Sequence, residues 1–245
     1  MKREYFLYET HMHTSEGSAC GFCIGAKMAN IYHKAGYTGI IVTDHFFYGN
    51  TAVNRSLAWS DWVEQYCLGF EHAKAEGDRI GLQVFFGWEA GYRGPEFLVY
   101  GLDKAWLLKH PEIRDATVEE QFALVRADGG IVVQAHPFRE ASYIKEIKLF
   151  PAYVDAVEVY NASHISEHKG VPHPEFNEKA LAYARKYNLP MTAGSDQHDE
   201  TMFWGGMVFE RKMKDIHDFA RAVLNREAVS LLDGSKMEHW KEKGK

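Results

Sequence analysis

Five short apolar runs in this chain each lead into a side chain that can bind a metal ion, a pattern that packing alone does not require. Tyr5–Glu9 leads into His11-Met12-His13, Gly39–Thr43 into Asp44-His45, and Leu82–Gly87 into Trp88-Glu89. Ile131–Ala135 delivers His136-Pro137, and Met191–Ala193 ends in Gly194-Ser195-Asp196-Gln197-His198. Each run has the length and composition of a buried strand, as do Phe97–Tyr100, Val154–Val159 and Met207–Phe209. Helical patterns lie between them. Met28, Ile31, Tyr32 and Ala35 form one apolar stripe that stops at Gly36, and Trp59, Trp62, Val63, Tyr66 and Phe70 form another. Thr117 with Glu120 is a capping-box pattern, and Asp215 precedes the stripe Ile216, Phe219, Ala220, Val223. This alternation predicts a parallel sheet with helices outside it, and in such a fold the carboxyl ends of the strands open onto one face.

The 245 residues are a length that an α/β barrel routinely fills as a single domain. Residues 1–235 read as that domain and 236–245 as a charged tail. A content of 46% hydrophobic and 25% charged residues excludes a disordered chain. The net charge of -6, from 28 Lys+Arg against 34 Asp+Glu, gives no electrostatic footprint for nucleic acid or an anionic membrane surface. The apolar runs fall short of the roughly 18 residues of a membrane span, and the polar opening MKREYFLYET does not read as a signal peptide. Three cysteines cannot build a paired disulfide framework, which points to a reducing cytoplasm. The anomaly in the composition is 13 histidines.

The residue types explain the pattern chemically. Imidazole nitrogen and carboxylate oxygen suit zinc, manganese or iron, and a carboxylate such as Glu89 has two oxygens with which to bridge two cations. His11/His13 and Asp196/His198 use period-2 spacing, which turns both members of each pair to one side of extended backbone. One histidine at a strand end is more often structural than a ligand. Five segments in agreement point to a shared centre.

Taken together, His11-x-His13, Thr43-Asp44-His45, Glu89, His136-Pro137 and Gly194-Ser195-Asp196-x-His198 resemble the ordered motifs of the PHP (polymerase and histidinol phosphatase) family. The resemblance implies an α/β fold, a single-domain distorted (β/α)7 TIM-like barrel with its metal site at the carboxyl ends of the strands. It implies two or three divalent metal ions and phosphoester hydrolysis. It would make His11, His13, Glu89 and Asp196 ligands of one ion, with Glu89 bridging to a second that also takes His136. His45 and His198 would serve a third ion or flank the pair, and Asp44 would orient a ligand. Relatives with three ions carry a further His or acid shortly after the first pair, for which Glu16 is the substitute here. They also carry a His on the strand between the Glu89 and His136 positions, where this chain offers Glu96.

These readings converge on a metal-dependent phosphoesterase acting on a small phosphorylated metabolite. Metal-activated hydroxide would attack phosphorus, Arg139 would receive phosphoryl oxygens, and Asp196 or His198 would protonate the leaving group. Metal hydroxide also attacks carbonyl carbon, so amide or lactone hydrolysis is the competing enzymatic reading, and a metal-stabilised interaction module is the non-enzymatic one. No membrane partner is expected, the acidic balance disfavours nucleic acid, and the oligomeric state is open. The loop from Asn161 to Pro174 with His164, His168 and His173 is long enough to be a substrate loop. Cys20-x-x-Cys23 has zinc-knuckle spacing without a second pair and lies beside the first histidines.

Overall fold

A fully buried first strand, β1 (Phe6–Met12), carries the first histidine of the chain into the interior. The computed structural model describes residues 4–235, so the segment 236–245 read as a tail lies outside the described residues. After β1 come α1 (Gly25–Ala35), β2 (Gly39–Val42), α2 (Trp59–Tyr66), α3 (Leu68–Ile80) and β3 (Gln83–Phe86). Three strands and two helices follow: β4 (Trp88–Gly91), β5 (Glu96–Tyr100), α4 (Lys104–Lys109), α5 (Val118–Ala127) and β6 (Ile131–Ala135). The chain continues through β7 (Ala156–Asn161), α6 (Pro174–Lys186), β8 (Met191–Gly194), β9 (Gly205–Phe209), α7 (Ile216–Leu224) and β10 (Ser230–Asp233).

The helix ends follow local chemistry. Gly36 closes α1 in the left-handed region at φ 89°. Thr117 and Glu120 form the reciprocal capping box of α5, and the Asp215 carboxylate accepts the Asp218 N–H at the start of α7. The tryptophans of the second stripe are packing residues. Trp62 is fully buried and stacks on Trp59, ring centroids 5.5 Å apart.

The expectation of a single seven-stranded (β/α) barrel is overturned. The strands form two mixed five-stranded sheets, ordered β10-β9-β1-β2-β3 and β4-β5-β6-β7-β8. β1, β2 and β3 are parallel, as are β6, β7 and β8, but β9 runs antiparallel to both β1 and β10, and β4, β5 and β6 are antiparallel in turn. At β4–β5 the physical reason is the length of the connection, whereas β5–β6 and β9–β10 pair antiparallel across connections that carry helices. Parallel neighbours need a crossover of a dozen or so residues, whereas antiparallel ones need only a tight turn. Between β4 and β5 the chain has no room for a helix, and the Tyr92 N–H donates to the Pro95 carbonyl across the turn, at 2.8 Å.

One consequence bears on the site. Glu89 does not end the third strand. The chain leaves the first sheet at Phe86, passes Gly87, and enters the second sheet at Trp88, so Glu89 sits inside β4. The two sheets meet through isolated parallel bridges, Met12 with Gln197 and His45 with Glu89. Both bridges flank the candidate metal residues. No helix among the described residues is long and apolar enough to cross a membrane.

α1 and α3 approach closely over glycines. A Cβ on Gly25 would overlap the Gly69 carbonyl oxygen, and one on Gly69 would overlap the Thr14 hydroxyl beside Asp44. The helix crossing is therefore pressed directly onto the loop that follows β1. Gly25→Ala should destabilise the metal-free protein by about 1–3 kcal/mol, the usual cost of overpacking, lowering Tm by roughly 2–4 °C per kcal/mol for a chain of this size. An unchanged melting temperature would show that the crossing has slack.

Candidate metal centre

Glu9, His11 and His13 fall at alternate positions along β1 and its continuation, and Met12 packs in an apolar cluster with Leu7, Met28 and Tyr32. His45 follows β2, Glu89 lies in β4, His136 follows β6, and Asp196 and His198 follow β8. His136 and Asp196 both hold left-handed backbone, at φ 27° and 54°, which is uncommon for residues with a Cβ. The turns that redirect these two side chains are locally unfavourable, and the surrounding fold supports them.

The donor atoms crowd. His11 Nε2 lies 3.3 Å from Glu89 Oε1 and 3.5 Å from Asp196 Oδ1, and His13 Nε2 lies 3.1 Å from the same Asp196 oxygen. His136 Nε2 is 3.0 Å from Glu89 Oε1, and His45 Nδ1 is 2.8 Å from Glu89 Oε2. Glu96 joins the edge of the group, with Oε2 3.6 Å from His136 Nε2. The sets His11–His13–Glu89, His45–Glu89–Glu96 and His13–His45–His198 each bring three ligand atoms within 4.8 Å of one another.

Supporting carboxylates fix which nitrogen faces inward. His11 Nδ1 donates to Glu158 Oε1 at 2.8 Å, which leaves Nε2 as the lone-pair atom. His13 Nδ1 donates to Ser18 Oγ at 3.1 Å, and the Ser18 hydroxyl donates onward to Asp44 Oδ1 at 2.7 Å. The two inward nitrogens, His11 Nε2 and His13 Nε2, then stand 3.2 Å apart. At that separation the two nitrogens need a proton or a metal cation between them. His45 Nδ1, Glu89 Oε2 and Glu96 Oε2 are also buried without an aligned hydrogen-bond partner, despite the short His45–Glu89 approach. Unpaired buried polar atoms are costly, and divalent ions would satisfy them. The donor set fits metal.

The electrostatics agree with that fit. Burial alone would raise the carboxyl of Glu89, but the charges of His11 and His45 hold it well below the ordinary range. Burial likewise opposes ionisation of Asp196 and is overcome by Arg139 and His11. Glu96 goes the other way, raised by burial and by the neighbouring Glu89 charge. Burial disfavours charge on His11 and His45, yet the surrounding carboxylates raise both well above the usual imidazole value. Without metal the site therefore retains protons on imidazoles that would have to lose them to ligate.

The structure brings His11, His13, His45, Glu89, His136, Asp196 and His198 to one centre. It does not bring Glu16 there. The Glu16 carboxylate accepts the Gly25 N–H at the start of α1 and pairs with His72 at 2.9 Å, because the loop after His13 turns that side chain toward the helix N-terminus, where backbone N–H groups are free. Arg139 reaches the centre from the turn after β6, ion-paired with Asp196, with one guanidinium nitrogen 3.8 Å from Glu96 Oε2. In the 161–174 loop, His164 is buried, donates from Nδ1 to Asn177 Oδ1 at 3.0 Å and presents Nε2 to the Arg139 N–H. Burial, followed by the Arg139 charge, pushes His164 down to about 3. His168 meets Thr201 and His173 meets Glu175, both away from the centre.

Two residues escaped the sequence reading. Glu9 accepts N–H groups from Thr10, His11 and Ser195, and Glu158 accepts from His11, the His136 N–H and Asn161. The signal for both was a carboxylate inside an otherwise apolar strand, a placement that demands a partner. Cys20, which the sequence singled out only as part of a Cys-x-x-Cys pair, has its thiol beside His198 and His45. Burial opposes its ionisation, but those neighbours outweigh it and bring the thiol down to about 6.

A family model described as PHP-associated matches residues 174–228, the stretch that carries Asp196 and His198. Among solved structures, the chain is similar to a two-domain protein from Bacteroides vulgatus containing a PHP-like metal-dependent phosphoesterase, an assignment made by prediction. The TM-score is 0.64 at 17% identity, over 92% of this chain and 64% of that one. The present chain thus spans less than two thirds of that protein. It is also similar to a Bifidobacterium adolescentis protein provisionally described as a metal-dependent phosphoesterase (TM-score 0.53, 16% identity, 78% of this chain and 87% of that one). An amidohydrolase from Chromobacterium violaceum, solved with sulfate and no metal, matches with a TM-score of 0.54 at 16% identity, over 78% of this chain and 87% of that one. At these identities the likeness establishes the shared fold. No curated protein matches the chain.

Two outcomes follow for metal uptake. Glu158→Gln should keep the fold and weaken divalent metal binding about 10- to 100-fold, the usual effect of losing a carboxylate behind a ligating histidine. Calorimetric titration would measure it, and an unchanged Kd would refute the orienting role. Because His11 and His45 are raised, protons compete with metal, and affinity should climb from about pH 6 to about pH 8 with net proton release. A flat affinity over that range would contradict this.

Proposed function

We propose that this chain, which belongs to the PHP family, is a metal-dependent hydrolase and, more narrowly, a phosphoesterase for a small phosphorylated metabolite. The observation that carries the reading is the convergence of imidazole nitrogens and carboxylate oxygens around Glu89, beside a cavity that Arg139 and Lys169 help to line. His11, His13, Glu89 and Asp196 would hold one divalent ion, zinc, manganese or iron, and Glu89 with His136 and the neighbouring Glu96 would hold a second. Ions bound there supply Lewis acidity and an acidified water that furnishes hydroxide near neutral pH.

The remaining parts of the proposal belong to the chain itself. A cavity of about 290 Å³ adjoins the centre, lined by Arg139, His164, Lys169, Phe176, Asp196 and His198 among others. Its volume is at the lower end of the range for small-molecule sites, about 300–1,000 Å³. Arg139 and Lys169 place two cationic groups on its wall beside the carboxylates of Glu140 and Asp196, and the planar guanidinium of Arg139 can take two phosphoryl oxygens at once. His164 holds Arg139 in place as a neutral acceptor and carries no competing charge. The leaving oxygen would take its proton from water or from His198 at the cavity wall, since Asp196, ion-paired with Arg139 and held ionised, has none to give.

Metal-loaded protein should release inorganic phosphate from members of a phosphomonoester and phosphodiester panel and lose that activity on chelation. Hydrolysis of amides or lactones with no phosphate release from any ester would replace this reading with the carbonyl one, the activity for which the Chromobacterium neighbour is named. Arg139→Lys should lower kcat/KM on the best phosphoester about 10- to 100-fold, as expected for a weakened charge-assisted hydrogen-bond pair. Its metal content should equal that of the wild type. Equal kcat/KM would remove Arg139 from substrate recognition.

A further inference from the structure

Two buried asparagines stand behind the cavity wall, Asn161 at the end of β7 and Asn177 in the first turn of α6. The Asn177 side chain takes both main-chain groups of Asn161. Its Oδ1 accepts the Asn161 N–H at 3.1 Å, and its Nδ2 donates to the Asn161 carbonyl at 3.1 Å. Turning that amide over would set donor against donor and acceptor against acceptor, so its orientation is fixed. The same Oδ1 stands 3.0 Å from His164 Nδ1. An oxygen there requires a proton on Nδ1, and in a neutral ring that makes Nε2 the acceptor. The Arg139 Nε–H points at Nε2 from 3.5 Å, and Arg139 Nη2 is ion-paired with Asp196. The opposite tautomer would set the ring N–H against the Arg139 N–H and a lone pair against Asn177 Oδ1.

We propose that Asn177 is a positioning residue: by holding His164 with its proton on Nδ1, it presents an acceptor to Arg139 and fixes the guanidinium that meets the anionic part of the substrate. The assignment rests on the reading of Arg139 as a phosphoryl contact. Asn177 lies behind the wall rather than on it, so it acts through His164, which does line the cavity. Asn161 carries the same frame to the metal side. Its Nδ2 donates to Glu158 Oε2 at 3.1 Å and to Asp196 Oδ2 at 3.4 Å, while its Oδ1 accepts from the N–H and hydroxyl of Ser163. Arg139 is thereby held between His164, which is fastened to Asn177, and Asp196, which is braced by Asn161. A guanidinium pinned at Nε and at one terminal nitrogen loses its freedom to swing before the substrate arrives, and pre-organised donors bind oxygens more tightly than mobile ones.

Imidazole nitrogen–proton correlations on the metal-free full chain, labelled with nitrogen-15, read the tautomer independently of activity. The His164 signals, identified by their loss in His164→Gln, should show a neutral ring protonated on Nδ1 near neutral pH. Asn177→Ala should release that ring to a mixture dominated by the Nε2–H form. Calorimetry with inorganic phosphate on the zinc-loaded chain reads the consequence. Asn177→Ala should bind phosphate about 10-fold more weakly, the scale of one buried hydrogen bond, at unchanged zinc stoichiometry. On an Arg139→Lys background the same change should cost little more, because the two residues act as one unit. Two variants leave α6 untouched. His164→Gln, which keeps an acceptor near the Nε2 position, should bind phosphate more tightly than His164→Asn, which keeps only the donor toward Asn177. A wild-type ring protonated on Nε2, wild-type phosphate affinity in Asn177→Ala, or the reverse order of the two His164 variants would overturn the assignment and leave phosphoester hydrolysis standing. A zinc-loaded wild type that binds no phosphate would overturn it together with the phosphoesterase reading.

Discussion

The buried carboxylate of Glu9 ties the two sheets together at the point where the candidate ligands meet. One of its oxygens accepts the N–H groups of Thr10 and His11 at the end of β1 and of Ser195 after β8, while Tyr32 from α1 donates to the other. β1 and β8 belong to different sheets, and their continuations are otherwise joined by the isolated bridge of Met12 with Gln197. With the Glu9 anchor, His11 and His13 from one sheet face Asp196 from the other across about 3.1–3.5 Å. A buried carboxylate that receives several backbone donors is well satisfied, and losing it would leave those donors unpaired in the interior.

Around that anchor the site consists of buried acids matched to imidazoles and one guanidinium. Glu89, Asp196 and Glu158 lie in a region where burial alone would protonate them, and the histidines and Arg139 keep them ionised. This arrangement is costly as a stability device, because desolvated charges seldom repay their burial in folding free energy. It is what a cation site requires. Glu158 and the Ser18–Asp44 relay decide which nitrogen of His11 and His13 turns inward, and the Gly25–Gly69 helix crossing presses on Thr14, which itself donates to Asp44. Packing at the periphery is thereby connected to ligand geometry at the centre.

The likeness to PHP proteins and the His and carboxylate clusters around Glu89 agree on a metal-dependent hydrolase, and the proposed substrate cavity lies beside Arg139 and Lys169.

Much of this was written locally. Strand cores, the stop of α1 at Gly36, the Thr117–Glu120 cap and the order of the donor residues follow from hydrophobic period, turn chemistry and spacing, all of which act over a few residues. Tertiary structure decided what depends on distant chain. The antiparallel β4–β5–β6 ladder and the split into two sheets arise from pairing partners that no local period encodes, and they moved Glu89 from a strand end into a strand of its own. Glu158 becomes a support for His11 only when β7 is brought beside β1 across 147 residues of sequence. Glu16 and Cys20 lie four residues apart in one loop, and the path of that loop sends the acid to α1 and the thiol to His45 and His198. Residue types announce which chemistry a chain can perform, because ligand preference is a property of the side chain. Which atoms share a centre depends on backbone direction, accumulated over the whole chain.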